Sequence, residues 1–488
     1  MKRHLRTWLA CVLTLGGAAV LRAADSSTYA QIGYTDLVNE LTASGTAVPD
    51  GSGVRVTQSE APVSFTGTGA STVYAYLPDP SLYAGVTITN QSAASYTGTG
   101  SWHADLVGQT IYGNSSMGSG VSNVDLYYYA DWLQSGKLNY GSTLSAPKTE
   151  ANDVMNASWV ATTGSATNDK NILNRLDYSI QRDDYVAVVG INNHDLGTET
   201  QQNLLASAYN VISVGRSDGV HVSGTSTTVN TGVTFPLIVA PVPTTSEATA
   251  LVSGASVFLI SAARSGTGVL HNTSANGDKS EAIKAILLAG ATKAQFPSWS
   301  NTSTHPLDAT YGAGQLNVDN SYHILTAGEQ TASASSSNLV ANTGWDFNTI
   351  NLTSVNTISY YLNLTSGGSF SIALTWNALY TPAAGVNYDN MTLSLANLDL
   401  YLYTVTSGTV GSLVASSVST SDNVEYIWSS SLTAGNYVIQ VKNATSSGSI
   451  DYAVAWQNNG AVPEPGTIAL VSLGALALGL SSRRWRKA

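Results

Sequence analysis

The 488-residue chain contains one cysteine, Cys11. Cys11 lies in an apolar run near the N-terminus, so a chain that sheds this run has no thiol and no disulfide, and its stability rests on packing. Charge is scarce as well. Only 10% of residues are charged, and 31 acidic against 20 basic side chains give a net charge of −11, which argues against nucleic acid as a partner. There is no Cys/His spacing for a metal, no glycine loop to cradle phosphate and no long internal repeat, so no cofactor is expected. In place of charge the chain carries Ser, Thr, Asn, Gly and Tyr, a composition common in extracellular β-rich proteins.

The two ends read as export signals. Met1-Lys2-Arg3-His4-Leu5-Arg6 is mostly basic, Trp8 begins an apolar run to Val20, and small residues follow at Ala23 and Ala24. This is the pattern of a secretory signal peptide over residues 1–24. At the other end, Val462-Pro463-Glu464-Pro465-Gly466-Thr467 precedes an apolar run and then Arg483-Arg484-Trp485-Arg486-Lys487. Residues 462–488 resemble the bacterial PEP-CTERM sorting signal, with Pro463, Glu464 and Pro465 as its motif. The stretch 466–482 is 17 residues, the lower edge of a membrane-spanning helix, and its basic flank is expected to stay cytoplasmic. The resemblance implies transient anchoring in the inner membrane, processing by an exosortase-type enzyme near Pro463, and delivery to the cell envelope or an extracellular matrix.

Between these ends about 440 residues remain, enough for two or three domains. Four segments carry candidate chemistry. Gly53-Val54-Arg55-Val56-Thr57-Gln58-Ser59-Glu60 reads as a strand leaving a glycine turn, with Glu60 at its far end, where parallel-sheet enzymes keep their chemistry. Ser101-Trp102-His103-Ala104 sets an imidazole just before small and apolar residues suited to a buried helix. Tyr185-Val186-Ala187-Val188-Val189-Gly190-Ile191-Asn192-Asn193 is a buried-strand pattern ending in two amides, either of which could donate a hydrogen bond. Thr245-Ser246-Glu247-Ala248 opens a long proline-free stretch of small and apolar residues, which reads as a helix N-terminus carrying a hydroxyl. Taken singly, each has an ordinary explanation: a surface carboxylate, a loop histidine, a turn-forming Asn pair and an N-cap.

In this order and context the segments resemble the subtilase family of serine proteases, over roughly residues 51–325. The stretches 209–215, 239–241, 281–291 and 311–318 resemble a strand, a strand end, a late helix and a closing glycine-rich strand of that family. The resemblance implies an α/β domain built on a parallel sheet over residues 25–330, and a serine endopeptidase acting on protein or peptide substrates. It also implies Glu60 as orienting acid, His103 as general base, Asn193 as oxyanion donor and Ser246 as nucleophile. The chain departs from the family pattern at several places. Glu60 stands for Asp, Ala104 and Asp105 for Gly-Thr, Leu106 for a second His, Thr244 for Gly and Ala250 for Pro. Asp50 is the alternative acid. The departures leave open a second reading, a catalytically inactive adhesion or matrix scaffold on the same fold.

A small, polar stretch over residues 327–342 marks a boundary. Beyond it, Ser369-Phe370-Ser371-Ile372-Ala373-Leu374-Thr375-Trp376, Leu398-Asp399-Leu400-Tyr401-Leu402-Tyr403, Tyr437-Val438-Ile439-Gln440-Val441 and Tyr452-Ala453-Val454-Ala455-Trp456 alternate with period two. Residues 343–460 therefore read as an all-β sandwich or jelly roll, and resemble the pre-peptidase C-terminal domains of secreted proteases. Asp399 is a possible calcium ligand or a satisfied strand carboxylate, and the aromatic strands suit either a core or a glycan surface. Residues 24–48 read as one short amphipathic helix packed on the α/β domain.

Overall fold

The computed structural model describes residues 24–265, 276–351, 357–444 and 448–460. Residues 1–23 of the expected signal peptide and the sorting tail with Pro463, Glu464 and Pro465 lie outside the described residues.

Seven strands form an all-parallel sheet: β1 (Arg55–Glu60), β2 (Thr87–Asn90), β3 (Asn123–Tyr128), β4 (Val154–Ala157), β5 (Val186–Gly190), β6 (Ile212–Arg216) and β7 (Ile238–Ala240). Their order is β7-β6-β5-β4-β1-β3-β2. From β1 the chain runs out to one edge and returns through β3; from β4 onward it builds steadily toward the other. The winding therefore reverses between β1 and β4, and in open α/β sheets that reversal opens a crevice at the carboxyl ends of the strands.

Alternation along the strands feeds two cores. Val186 and Val188 join one hydrophobic cluster while Ala187 and Val189 join another. The second cluster is covered by helix α4 (Ala166–Asp183) through Ile172, Leu173, Leu176 and Ile180. The first takes α3 (Trp102–Tyr112), α5 (Thr245–Ser265), α6 (Ser280–Gly290) and α7 (Val318–Thr326). Helix α5 is apolar and long enough to cross a membrane, but 94% of its apolar window is buried, as in the core helix of a globular domain.

Two expectations need correction. Residues 24–48 form two helices, α1 (Ser26–Gln31) and α2 (Tyr34–Ser44), because Gly33 takes φ 74° between them. That conformation suits glycine, and a Cβ there would lie 2.9 Å from Asp319 Cβ. Residues 311–318 form no strand: Gln315 makes single bridges to Val239 and Thr292, and Val318 already begins α7. Gly312, at φ 57°, packs on β7's approach, where a Cβ would lie 2.3 Å from Leu237 O.

The C-terminal strands are β8 (Gly344–Asn351), β9 (Thr357–Leu364), β10 (Gly368–Trp376), β11 (Leu379–Ala383), β12 (Asn387–Ser394), β13 (Leu398–Thr406), β14 (Thr409–Ser417), β15 (Val424–Leu432), β16 (Gly435–Asn443) and β17 (Ser449–Gly460). They make two four-stranded antiparallel sheets, β8-β17-β10-β15 and β9-β16-β13-β14, with β11 and β12 as a hairpin. Leu362, Leu374, Leu400, Ile439 and Val454 fill the space between the sheets. The outer face of the first sheet contributes Trp345, Ala373, Ala453 and Ala455 to the α/β core, against α6, which is buried along its whole length. Ser371 Oγ donates to Ala289 O at 2.6 Å and Asn377 Nδ2 to Glu281 Oε1 at 2.6 Å. The β11–β12 hairpin reaches α4, where Asp389 pairs with the buried Arg175 at 2.7 Å. Asp399 Oδ2 accepts the Tyr401 hydroxyl at 3.0 Å, so this carboxylate has a partner on its own strand.

Candidate active site

Strand β1 is unusual for a central strand: Thr57, Gln58, Ser59 and Glu60 are all fully buried. Buried polar groups persist only when they are paired, and each of these is. On one face Thr57 Oγ1 accepts Asn152 Nδ2 at 2.8 Å and Ser59 Oγ accepts Trp159 Nε1 at 3.2 Å. On the other face Gln58 Nε2 donates to Glu60 Oε1 at 2.8 Å and to Ala104 O at 3.1 Å, while Tyr112 donates its hydroxyl to Gln58 Oε1. Gln58 thus fixes the carboxylate that ends the strand.

Helix α3 brings the imidazole. Ser101 caps it by accepting Ala104 N, which places His103 in the first turn. His103 Nδ1 lies 2.7 Å from Glu60 Oε2, and the two side chains are 7% and 1% exposed. With Nδ1–H donating to the carboxylate, neutral His103 keeps its lone pair on Nε2, which makes no hydrogen bond among the described residues. Burial pulls the ring's pKa down, but the charge and hydrogen bond of Glu60 and the charge of Glu247 outweigh it and hold the imidazolium above the ordinary histidine range. Tyr112 beside the pair is pushed far up by burial and by neighbouring phenol and carboxylate charges, so it stays a donor.

Helix α5 begins at Thr245, with Ser246 in its first turn. Ser246 Oγ donates to Ser158 O at 3.2 Å, and Ser158 Oγ donates back to Ser246 O at 3.0 Å. No hydrogen bond joins Ser246 to His103. Ser158 directly follows β4, so the serine helix is tied to the strand beside β1, at the winding reversal. Asn193 lies just beyond β5 and accepts Thr245 N on Oδ1 at 3.0 Å, which orients its amide. Asn193 Nδ2 and the Ser246 N–H have no hydrogen-bond partner among the described residues. The structure therefore joins Glu60 to His103 and Asn193 to the start of the serine helix, and leaves the Asn193 Nδ2 and Ser246 N–H donors unused at that helix start.

Asp50, the alternative acid, lies before the opposite end of β1 and accepts Ser52 N at 2.9 Å, a turn role that removes it from the site. His221 is structural as well: Nδ1 accepts Arg216 N at 3.0 Å and Nε2 donates to Thr310 O at 2.9 Å, which defines a neutral ring. Sequence reasoning missed Gln58, Tyr112, Ser158 and Glu247. Of these, Gln58 carried a signal, as a polar residue in a stretch otherwise suited to a central strand. Among the described residues, ligand atoms suited to a metal gather at Glu40, Asp319 and His323, within 4.8 Å of one another, on α2 and α7.

A family model for the PEP-CTERM protein-sorting motif matches residues 461–484, which indicates export and sorting to the cell envelope. No curated protein matches the chain. Among solved structures, the chain is similar to a protease of Pseudoalteromonas arctica at 13% identity, covering 57% of this chain and 91% of that one, with a TM-score of 0.34. It is similar to a chain solved for the assembly of subtilase cytotoxin SubAB at 16% identity, covering 62% and 97%, with a TM-score of 0.39. It is also similar to the pre-peptidase C-terminal domain of a Bacillus anthracis collagenase at 13% identity, covering 23% and 87%, with a TM-score of 0.16.

Proposed function

We propose that the chain is an exported, surface-sorted, subtilisin-like serine endopeptidase that hydrolyses peptide bonds through Ser246, His103 and Glu60. The observation that carries this reading is the buried His103–Glu60 pair at 2.7 Å, set where the sheet's winding reverses. In the reaction the Ser246 hydroxyl turns from the Ser158 carbonyl toward His103 Nε2, which takes its proton as Oγ attacks the substrate carbonyl. Glu60 holds the tautomer and stabilises the imidazolium. The oxyanion is received by Asn193 Nδ2 and the Ser246 N–H, at the positive end of α5. The basic-flanked apolar tail anchors the protein in the inner membrane until an exosortase-type enzyme cuts it near Pro463.

The test is labelling of the purified full-length chain by a fluorophosphonate probe. Labelling that is lost in Ser246→Ala supports the peptidase. A second reading, the inactive scaffold, draws on one observation: Ser246 spends its proton on Ser158 and makes no bond to His103. A folded protein that takes no label at any pH selects that reading.

A further inference from the structure

Helices α3 and α5 pack closely where Gly254 meets Thr110: a Cβ on Gly254 would lie 3.2 Å from Thr110 O. Both helices start at the same edge of the sheet, since His103 meets Glu60 at the carboxyl end of β1 and Ser246 meets Ser158 just after β4, the neighbouring parallel strand. Stepping back seven residues from the Gly254–Thr110 contact, about two helical turns, arrives at Glu247 on α5 and His103 on α3. Each therefore stands in the first turn of its helix, at the same end of the pair.

Glu247 is only 5% exposed. Thr244 Oγ1 donates to Glu247 Oε2 at 2.9 Å and accepts Glu247 N at 3.2 Å, which fixes one oxygen; Oε1 has no hydrogen bond among the described residues. No lysine or arginine forms an ion pair with this carboxylate in the described residues. The positive groups acting on it are His103 and Arg216, and Arg216 is already held by Asp195 and Asp218 at 2.6 Å each. A carboxylate buried beside the proposed nucleophile, with Arg216 already engaged, has the His103 ring as its available counter-charge.

We propose that Glu247 is a second carboxylate for the His103 ring, a positioning residue that works with Glu60 to stabilise the imidazolium formed when Ser246 gives up its proton. This rests on the peptidase reading. The titratable and charged groups around the His103 ring are Glu60 from β1 and Glu247 from α5, with Arg216 from β6 acting on Glu247, and Glu60 acting in turn on Asp105 and Tyr112 of α3. Two negative neighbours keep the ring protonated to higher pH than one would, so the base becomes available later in a pH titration.

The experiment follows the His103 ring by NMR titration of the full-length chain, alongside the pH dependence of fluorophosphonate labelling, in wild type, Glu247→Gln and Glu247→Asp. Glutamine keeps an acceptor for Thr244, and aspartate keeps the charge. The expected result is a fall in His103 proton affinity of about threefold or more in Glu247→Gln, a matching shift of the acidic limb of labelling to lower pH, and a smaller shift in Glu247→Asp. If Glu247→Gln does not fold, the aspartate variant alone decides by the same direction of shift. An unmoved His103 titration in a folded variant overturns the proposal even if Ser246 labels normally. A shifted titration with no labelling at any pH supports the carboxylate–imidazole coupling and overturns the peptidase reading.

Discussion

Strand β1 and the strands of the sandwich put polar side chains to opposite uses. In β13 the inward residues Leu398, Leu400 and Leu402 are fully buried, while Asp399, Tyr401 and Tyr403 lie at the outer face. In β1 the last four residues are polar and fully buried. The sandwich gains by removing apolar area from water, a term that depends little on orientation. Strand β1 gains only if each donor meets its acceptor, because an unmet buried polar group costs about 1–3 kcal/mol. The difference teaches where to look for chemistry: a central strand that forgoes apolar burial is held by directional bonds, and directional bonds hold a carboxylate in one place.

Breaking that placement should have the largest effect. Glu60→Ala is expected to lower turnover or labelling by about 10⁴-fold, since the ring loses both its tautomer and its counter-charge; the labelling rate of a folded variant measures it. Asn193→Ala is expected to cost about 10²- to 10³-fold while leaving the His103 titration unmoved. In the sandwich, Leu400→Ala is expected to cost about 2–5 kcal/mol in denaturant unfolding without disturbing the Glu60–His103 pair. Gln58→Leu sharpens the contrast: although apolar, it should destabilise by about 1–3 kcal/mol and also slow labelling, because Tyr112 and Glu60 both lose a partner. Ser359→Ala, on the outer side of β9, should change stability by no more than about 0.5 kcal/mol.

The interface between the two regions adds a pH signature. Burial pushes Glu281 and Asp177 up to about 7 each, well above their unfolded values. Groups raised in this way contribute stability that is complete below the unfolded pKa and lost as pH rises through the folded one. The melting temperature should therefore fall as pH rises from about 4 toward 7, and Glu281→Gln should flatten part of that slope. His103 has the same sign, with its contribution lost as pH rises through a value above the ordinary histidine range. As a base it must be neutral, so labelling should rise with pH on that same limb.

Much of this was legible in the residues. Period-two alternation marks β10, β13, β16 and β17, and the apolar run before Asn193 marks β5, because each pattern is local. The order of Glu60, His103, Asn193 and Ser246 gave the candidate groups, but Gln58 and Tyr112 meet across 54 residues of sequence, and Ser158 and Ser246 across 88. No local pattern encodes such pairs. Residues 327–342 read as a linker from composition, yet Gln330 N donates to Trp345 O at 2.7 Å and Trp345 joins the α/β core. Small polar residues lower the cost of bending the chain; they do not determine whether it then packs. Gly33 was invisible as a helix break because the residues around it keep a helical rhythm on both sides.

Strand β17 lies between β8 and β10, its sheet is seated on α6, and it runs to Gly460, one residue before the sorting motif begins. A load applied at Gly460 therefore enters the middle of a sheet whose outer face, through Trp345, Ala453 and Ala455, is already part of the α/β core.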